Sequence, residues 1–135
     1  MISILKKTTV YYLFCFCLVT ISCKPKNTLP DPLKAGWKGR AVCEVLEENK
    51  ELRVLKCSFE PGVGHEKHYH NPHFGYSLAG GKFRITDTTG TRVVDIPTGY
   101  NFNKDERSSH EVLNIGKTTA VFLIALVMID SCRSL

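Results

Sequence analysis

Short runs of alternating apolar and polar residues, separated by turn-forming residues, cover most of this chain. Such alternation places successive side chains on opposite faces of a strand, and no run has the 3.6-residue period of an amphipathic helix. The predicted strands cover residues 40–46, 52–59, 65–70, 75–79, 82–86, 91–96, 109–113 and 119–129. About nine short strands at spacings of roughly ten residues indicate an all-β sandwich or barrel. The last run is the most apolar, and we expect it to be buried on both faces.

The first part of the chain, residues 1–22, differs in composition and predicts a secretion signal. Two lysines precede an apolar stretch over residues 10–21 that carries no charge. This stretch is shorter than the roughly 20 residues that span a bilayer, and it fits the hydrophobic region of a signal peptide. Ser22-Cys23 and the polar sequence after it resemble a bacterial lipoprotein signal, although Thr20 stands where leucine is usual. The resemblance implies a lipid anchor at Cys23 and a location at the cell envelope, on its periplasmic or extracellular face. An ordinary cleaved signal, an uncleaved anchor and a cytosolic protein are the alternatives.

The rest of the chain divides into a tether and one domain. Residues 23–37 contain three prolines and predict an extended tether. Residues 38–135 are long enough to bury one hydrophobic core. Without residues 1–22 the chain has 16 basic and 13 acidic residues, which leaves a net charge of +3. This charge is ordinary for a soluble surface, and aromatic residues do not alternate with basic runs, so we expect no nucleic-acid partner.

Three cysteines, Cys43, Cys57 and Cys132, belong to the predicted domain. An oxidising compartment permits one disulfide among them. Cys43 and Cys57 lie on consecutive predicted strands and are the favoured pair, although the sequence does not fix the strand register. Three buried thiols that pack as small apolar residues are the alternative.

The five histidines fall into two clusters, and each cluster lies in a sequence with the alternation of a strand. The first cluster is His65, His68, His70 and His73, and the second is His110 alone. His68 and His70 are two residues apart, so both side chains point to one face, where their nitrogens can converge on a metal ion. Polar residues that line an empty barrel, a hydrogen-bonded core histidine at 110 and a solvated turn residue at 73 are the alternatives.

Alternation also predicts which neighbours share a face with these histidines. We expect His65 at the surface or rim, and Glu66 exposed, unless an early strand start places Glu66 beside His68. If His73 faces the interior, the small residues Gly75, Ser77 and Ala79 face it too, while Phe74, Tyr76 and Leu78 pack on the other side. Small inward residues would leave room for a small-molecule ligand beside the metal.

The two clusters resemble the paired motifs of the cupins, which are small β-barrels of the jelly-roll type. Cupin motif one runs Gly, five residues, His-x-His, three or four residues, Glu, six residues, Gly, and this chain has Gly62, His68-x-His70, His73 and Gly80. Motif two runs Gly, five residues, Pro-x-Gly, two residues, His, three residues, Asn, and this chain has Gly99, Asp105-x-Arg107, His110 and Asn114. The resemblance covers residues 42–128. The chain departs from it where His73 replaces the Glu, and where Asp105 and Arg107 replace the Pro and Gly.

The resemblance implies a cupin-type jelly-roll β-barrel, or double-stranded β-helix, that binds a divalent transition metal. Carried over residue by residue, it makes His68, His70 and His110 metal ligands and His73 a candidate fourth. The ion would be Zn, Fe, Ni, Cu or Mn. Imidazole in place of a carboxylate leaves the site less negative and favours the first four of these.

An open position on such a metal would suit an oxygenase or isomerase of a small molecule. Glu66 and Glu111 are the only carboxylates near the clusters, and the sequence assigns no catalytic residue. The alternatives are a non-catalytic envelope protein that binds a small molecule or a metal, which the loss of the motif-one Glu favours, and a structural module. The resemblance also implies a homodimer, since cupins often pair through their sheets, with residues 40–46 as the expected edge.

Overall fold

Nine strands form two antiparallel sheets in the structure, a computed structural model that describes residues 29–129. They are β1 (Cys43–Glu48), β2 (Leu52–Phe59), β3 (Gly64–His70), β4 (His73–Ala79), β5 (Gly81–Asp87), β6 (Gly90–Ile96), β7 (Asn101–Lys104), β8 (Ser108–Asn114) and β9 (Ala120–Val127). One sheet has the order β1-β2-β9-β4-β7 and the other the order β3-β8-β5-β6. The two sheets enclose a common core, as in a jelly roll, which confirms the predicted all-β fold.

Apolar side chains from alternate strand positions fill the space between the sheets. Phe59, Phe83 and Phe122 contact one another edge to face, with ring centroids 5.6 to 6.2 Å apart. Phe83 pairs with Asn114, four residues along β8 from His110. The ring of Phe59 also contacts that of His65, with centroids 6.1 Å apart, so the aromatic cluster adjoins the histidines in the core.

The outer face of the five-stranded sheet is less covered than the sequence predicts. Alternate residues of β9 are buried, but the residues between them are only half-buried, and Val127 is exposed. The prediction that this strand is buried on both faces is therefore wrong, because no second layer covers it within residues 29–129. As predicted, Phe74, Tyr76 and Leu78 of β4 point to this outer face, where they are exposed.

Cys43 and Cys57 form a disulfide, which confirms the favoured pairing. They lie directly opposite each other on β1 and β2, and both are buried. Because β1 is at the edge of its sheet, the bond fastens an edge strand to its neighbour. Cys132 lies outside the described residues.

The described part of the predicted tether, residues 29–37, packs against the edge of β3. It includes a one-turn helix, α1 (Pro32–Ala35), whose first N–H groups are capped by the Asp31 carboxylate. Two N–H groups of β3 donate to the carbonyls of Pro30 and Gly36, so this segment covers the strand edge.

The predicted signal over residues 1–22 and the predicted anchor at Cys23 lie outside the described residues. Within residues 29–129, no helix has both the length and the apolar character needed to cross a membrane.

Candidate metal centre

A β-bulge in β3 determines which of its side chains point inward. β3 pairs with β8 so that His65 faces Val112 and His68 faces His110, with an extra residue on β3 between these pairs. His65, His68 and His70 are consequently all buried, whereas Glu66 is exposed and accepts a hydrogen bond from the N–H of Lys38 at 2.8 Å. The prediction that His65 lies at the surface or rim is wrong, because the bulge reverses the alternation between residues 65 and 68.

Three of the predicted ligands converge through the same ring nitrogen. His68 Nε2 lies 2.7 Å from His70 Nε2, and His70 Nε2 lies 3.2 Å from His110 Nε2. His68 is fully buried and His70 nearly so. The three donor atoms lie within 4.8 Å of one another, which is close enough for one ion to bind all three.

Backbone carbonyls fix the tautomer of two histidines. His68 Nδ1 is 2.6 Å from the carbonyl oxygen of Glu66, and His73 Nδ1 is 2.8 Å from that of Asn71. A carbonyl oxygen only accepts, so in both rings Nδ1 carries the hydrogen and Nε2 has a free lone pair. Metal-binding histidines are typically held in this way.

His73 lies beside the group of three without belonging to it. It is buried at the start of β4, and its ring centroid is 4.6 Å from that of His70. Its role as a fourth ligand stays a prediction. The inward direction of its side chain is shared by Gly75 and Ser77, which are buried, as expected.

His65 packs against the group of three and is held by the N-terminal segment. Its Nε2 donates to the carbonyl oxygen of Pro32 at 2.7 Å, and its ring lies against His68 with a centroid separation of 3.8 Å. The N-terminal segment thus holds His65, and His65 packs against a candidate ligand.

Burial lowers the pKa values of all five histidines. It lowers the pKa of His65 and of His110 from 6.5 to about 3, and repulsion from His68 acts in the same direction. The pKa values of His68, His70 and His73 are lowered too, with burial again the main cause. Neutral imidazole is the form that binds metal, so the cluster offers lone pairs at neutral pH.

A cavity of about 640 Å³ adjoins the histidines. His70, His73 and His110 line it, together with side chains from both sheets. Its exposed lining residues lie on β6, on β7 and in the turn between them, so the cavity opens along this side of the barrel. A ligand can therefore reach the histidines from solvent.

Two charged residues outside the histidine clusters, Asp87 and Lys104, lie near the site. Asp87 pairs with His110 across β5 and β8, and it accepts a hydrogen bond from Arg92 at 2.6 Å. Lys104 pairs with His73 across β7 and β4 and lines the cavity. Each is far in sequence from its neighbour, so only the strand topology could have identified them.

The donor set fits a divalent transition metal. The Nε2 atoms of His68, His70 and His110 lie 2.7 and 3.2 Å apart, and a cation at the point where they meet would accept a lone pair from each ring. Three nitrogen donors suit several ions of the Zn, Cu, Ni and Fe group, and they do not select one of them. Three protein ligands also leave a position open to an exogenous ligand.

Solved structures that are described as cupins or as double-stranded β-helix proteins have a similar fold. A cupin domain from Bordetella pertussis Tohama I has a TM-score of 0.60 and 21% identity, over 64% of this chain and 91% of that one. A double-stranded β-helix domain protein from Klebsiella pneumoniae has a TM-score of 0.57 and 15% identity, over 70% and 82% of the two chains. A cupin superfamily protein from Desulfitobacterium hafniense has a TM-score of 0.53 and 13% identity, over 67% and 80%. No family model and no curated protein matches the sequence. At these identities the similarity shows the fold, a cupin-type jelly roll.

Proposed function

We propose that this chain is a metal-binding member of the cupin superfamily that binds a small molecule at its metal, as an oxygenase or isomerase does. The proposal rests on one observation. The Nε2 atoms of His68, His70 and His110 converge beside a cavity of about 640 Å³. This volume lies within the range of small-molecule sites, about 300–1,000 Å³.

The chain's own residues would hold and shield the metal. The carbonyl of Glu66 orients His68, and β8 presents His110 opposite it. When bound, a divalent ion polarises a carbonyl or enolate oxygen or binds dioxygen. The apolar side chains of the cavity walls lower the local dielectric constant and so strengthen electrostatic interactions with a bound ligand.

Cobalt substitution of the full chain, purified in mild detergent, tests both the site and its open position. Co²⁺ bound by three histidines gives visible absorption, and azide that reaches an open position shifts these bands. We expect the bands and the azide shift in the parent and in Glu111→Gln, which alters an exposed neighbour of His110. We expect neither in His110→Gln. Bands that azide leaves unchanged in the parent would contradict an open position.

Non-catalytic capture of a small molecule is the second candidate. The carboxylates near the site favour capture without catalysis. Asp87 is bound to Arg92 and Thr89. Glu66 and Glu111 are exposed outside the barrel. Within residues 29–129, the cavity therefore lacks an unpaired carboxylate that could move a proton. Turnover of a ligand that binds the cobalt form would distinguish the enzyme from the binder.

We also propose that the protein is exported and lipid-anchored at Cys23. The sequence of residues 1–23 supports this, and the Cys43–Cys57 disulfide supports an oxidising compartment. Metabolic labelling with a palmitate analogue tests it. We expect label in the parent and none in Cys23→Ala, whereas label in neither would contradict the anchor.

A further inference from the structure

The cavity beside the histidines has mostly apolar walls. Its lining includes Phe83, Ile85, Val94, Phe122 and Ile124, which come from both sheets. Phe83 and Phe122 also contact each other edge to face, which holds their rings in place. Such walls bind hydrocarbon and offer few partners to the hydroxyl groups of a sugar.

The charged groups around this cavity differ in whether they have partners. Arg92 is neutralised by Asp87 at 2.6 Å, and Asp95 lies on the outer side with Lys82 at 3.8 Å. Lys104 also lines the cavity. The ion pairs of the described chain include no carboxylate partner for Lys104.

Lys104 lies on the inner side of the barrel, near the histidines. It is directly opposite His73. Phe102, two residues earlier on β7, points to the same face as Lys104, is half-buried and lines the same cavity. An unpaired cation thus stands where the apolar cavity meets solvent.

We propose that the cavity takes an apolar carboxylate, whose carboxylate pairs with Lys104 and whose hydrocarbon part lies against the phenylalanine and isoleucine side chains. This inference rests on the proposed function, since it names the ligand class of the same cavity. The histidines bring no negative charge, so a divalent ion bound to them would add positive charge and favour an anion further.

The experiment measures calorimetric binding of three probes to the full chain in mild detergent, with and without Co²⁺. Phenylacetate has the apolar body and the charge, phenylacetamide has the body alone, and acetate has the charge alone. We expect phenylacetate to bind about tenfold more tightly than either of the others, since each lacks one of the two interactions.

Variants of Lys104 test whether its positive charge binds the carboxylate of the ligand. We expect Lys104→Met to weaken phenylacetate binding by about tenfold and Lys104→Arg to restore most of it. Lys117→Met, an equal change of charge at an exposed turn after β8, should leave binding unchanged.

Failure of the proposed ligand class and failure of the proposed metal centre give different results. Equal binding of phenylacetate and phenylacetamide, or unchanged binding in Lys104→Met, would overturn the ligand class while the cobalt bands stand. Loss of the cobalt bands, with the preference for phenylacetate retained in the metal-free protein, would overturn the metal centre and leave the ligand class supported.

Discussion

His68 on β3 and His110 on β8 lie directly opposite each other, with ring centroids 4.9 Å apart in an edge-to-face arrangement. The two strands are joined by ladder hydrogen bonds, so the separation of these rings is set by the sheet and not by a flexible loop. His70, two residues along β3, completes the group from the same face. A site on paired strands is held close to binding geometry before any ion arrives.

Acid should destabilise the metal-free protein. The unfolded chain protonates its histidines near pH 6.5, but burial lowers the pKa of folded His65 and His110 to about 3. Between these values the unfolded state binds more protons, so stability is complete above pH 6.5 and falls as the pH drops toward 3. We expect urea unfolding of chelator-treated protein to show a loss of about 1 kcal/mol per histidine at pH 5.5 relative to pH 7.5. Equal stability at the two values would contradict the burial of these rings.

The disulfide should stabilise the fold without contributing to the metal site. Cys43 and Cys57 are 14 residues apart, and for a loop of this length the chain-entropy model gives about 3 kcal/mol. We expect the Cys43→Ala/Cys57→Ala variant to lose about 2–4 kcal/mol of unfolding free energy in urea. Its metal content should equal that of the parent. An unchanged unfolding free energy would show that β1 is held by its other contacts.

Gly75 should tolerate no side chain while Phe102 is present. A Cβ at Gly75 would lie 2.2 Å from the ring of Phe102, which lines the cavity. We expect Gly75→Ala to cost about 1–3 kcal/mol in urea unfolding, because the ring must move. The same change in a Phe102→Leu background should cost less. Additive costs would contradict the close approach of β4 and β7.

The sequence predicted most strands and the group of His68, His70 and His110, because alternation and motif spacing are local properties. It missed the inward direction of His65, which depends on a bulge. The adjacent charged residues Glu66 and Lys67 were the available signal, since two consecutive charges in a buried strand are best accommodated when both point outward.

The strand β7 was missed for a related reason. It is four residues long, lies at a sheet edge and has one apolar residue, Phe102, so alternation gives almost no signal. Without β7, the sequence could not place Lys104 beside His73. Cross-strand neighbours of this kind follow from topology, which the sequence pattern does not encode locally.

Metal content reports directly on whether the three histidines hold an ion. The full chain, the double variant His68→Gln/His110→Gln and the control Glu111→Gln would be reconstituted with Zn²⁺, Co²⁺ or Fe²⁺, freed of excess metal and assayed by elemental mass spectrometry. We predict about one equivalent per chain in the parent and the control, and almost none in the double variant. Folding of all three would be checked by circular dichroism. No bound metal in the parent, or equal metal in the folded double variant, would rule out a metal site at these histidines.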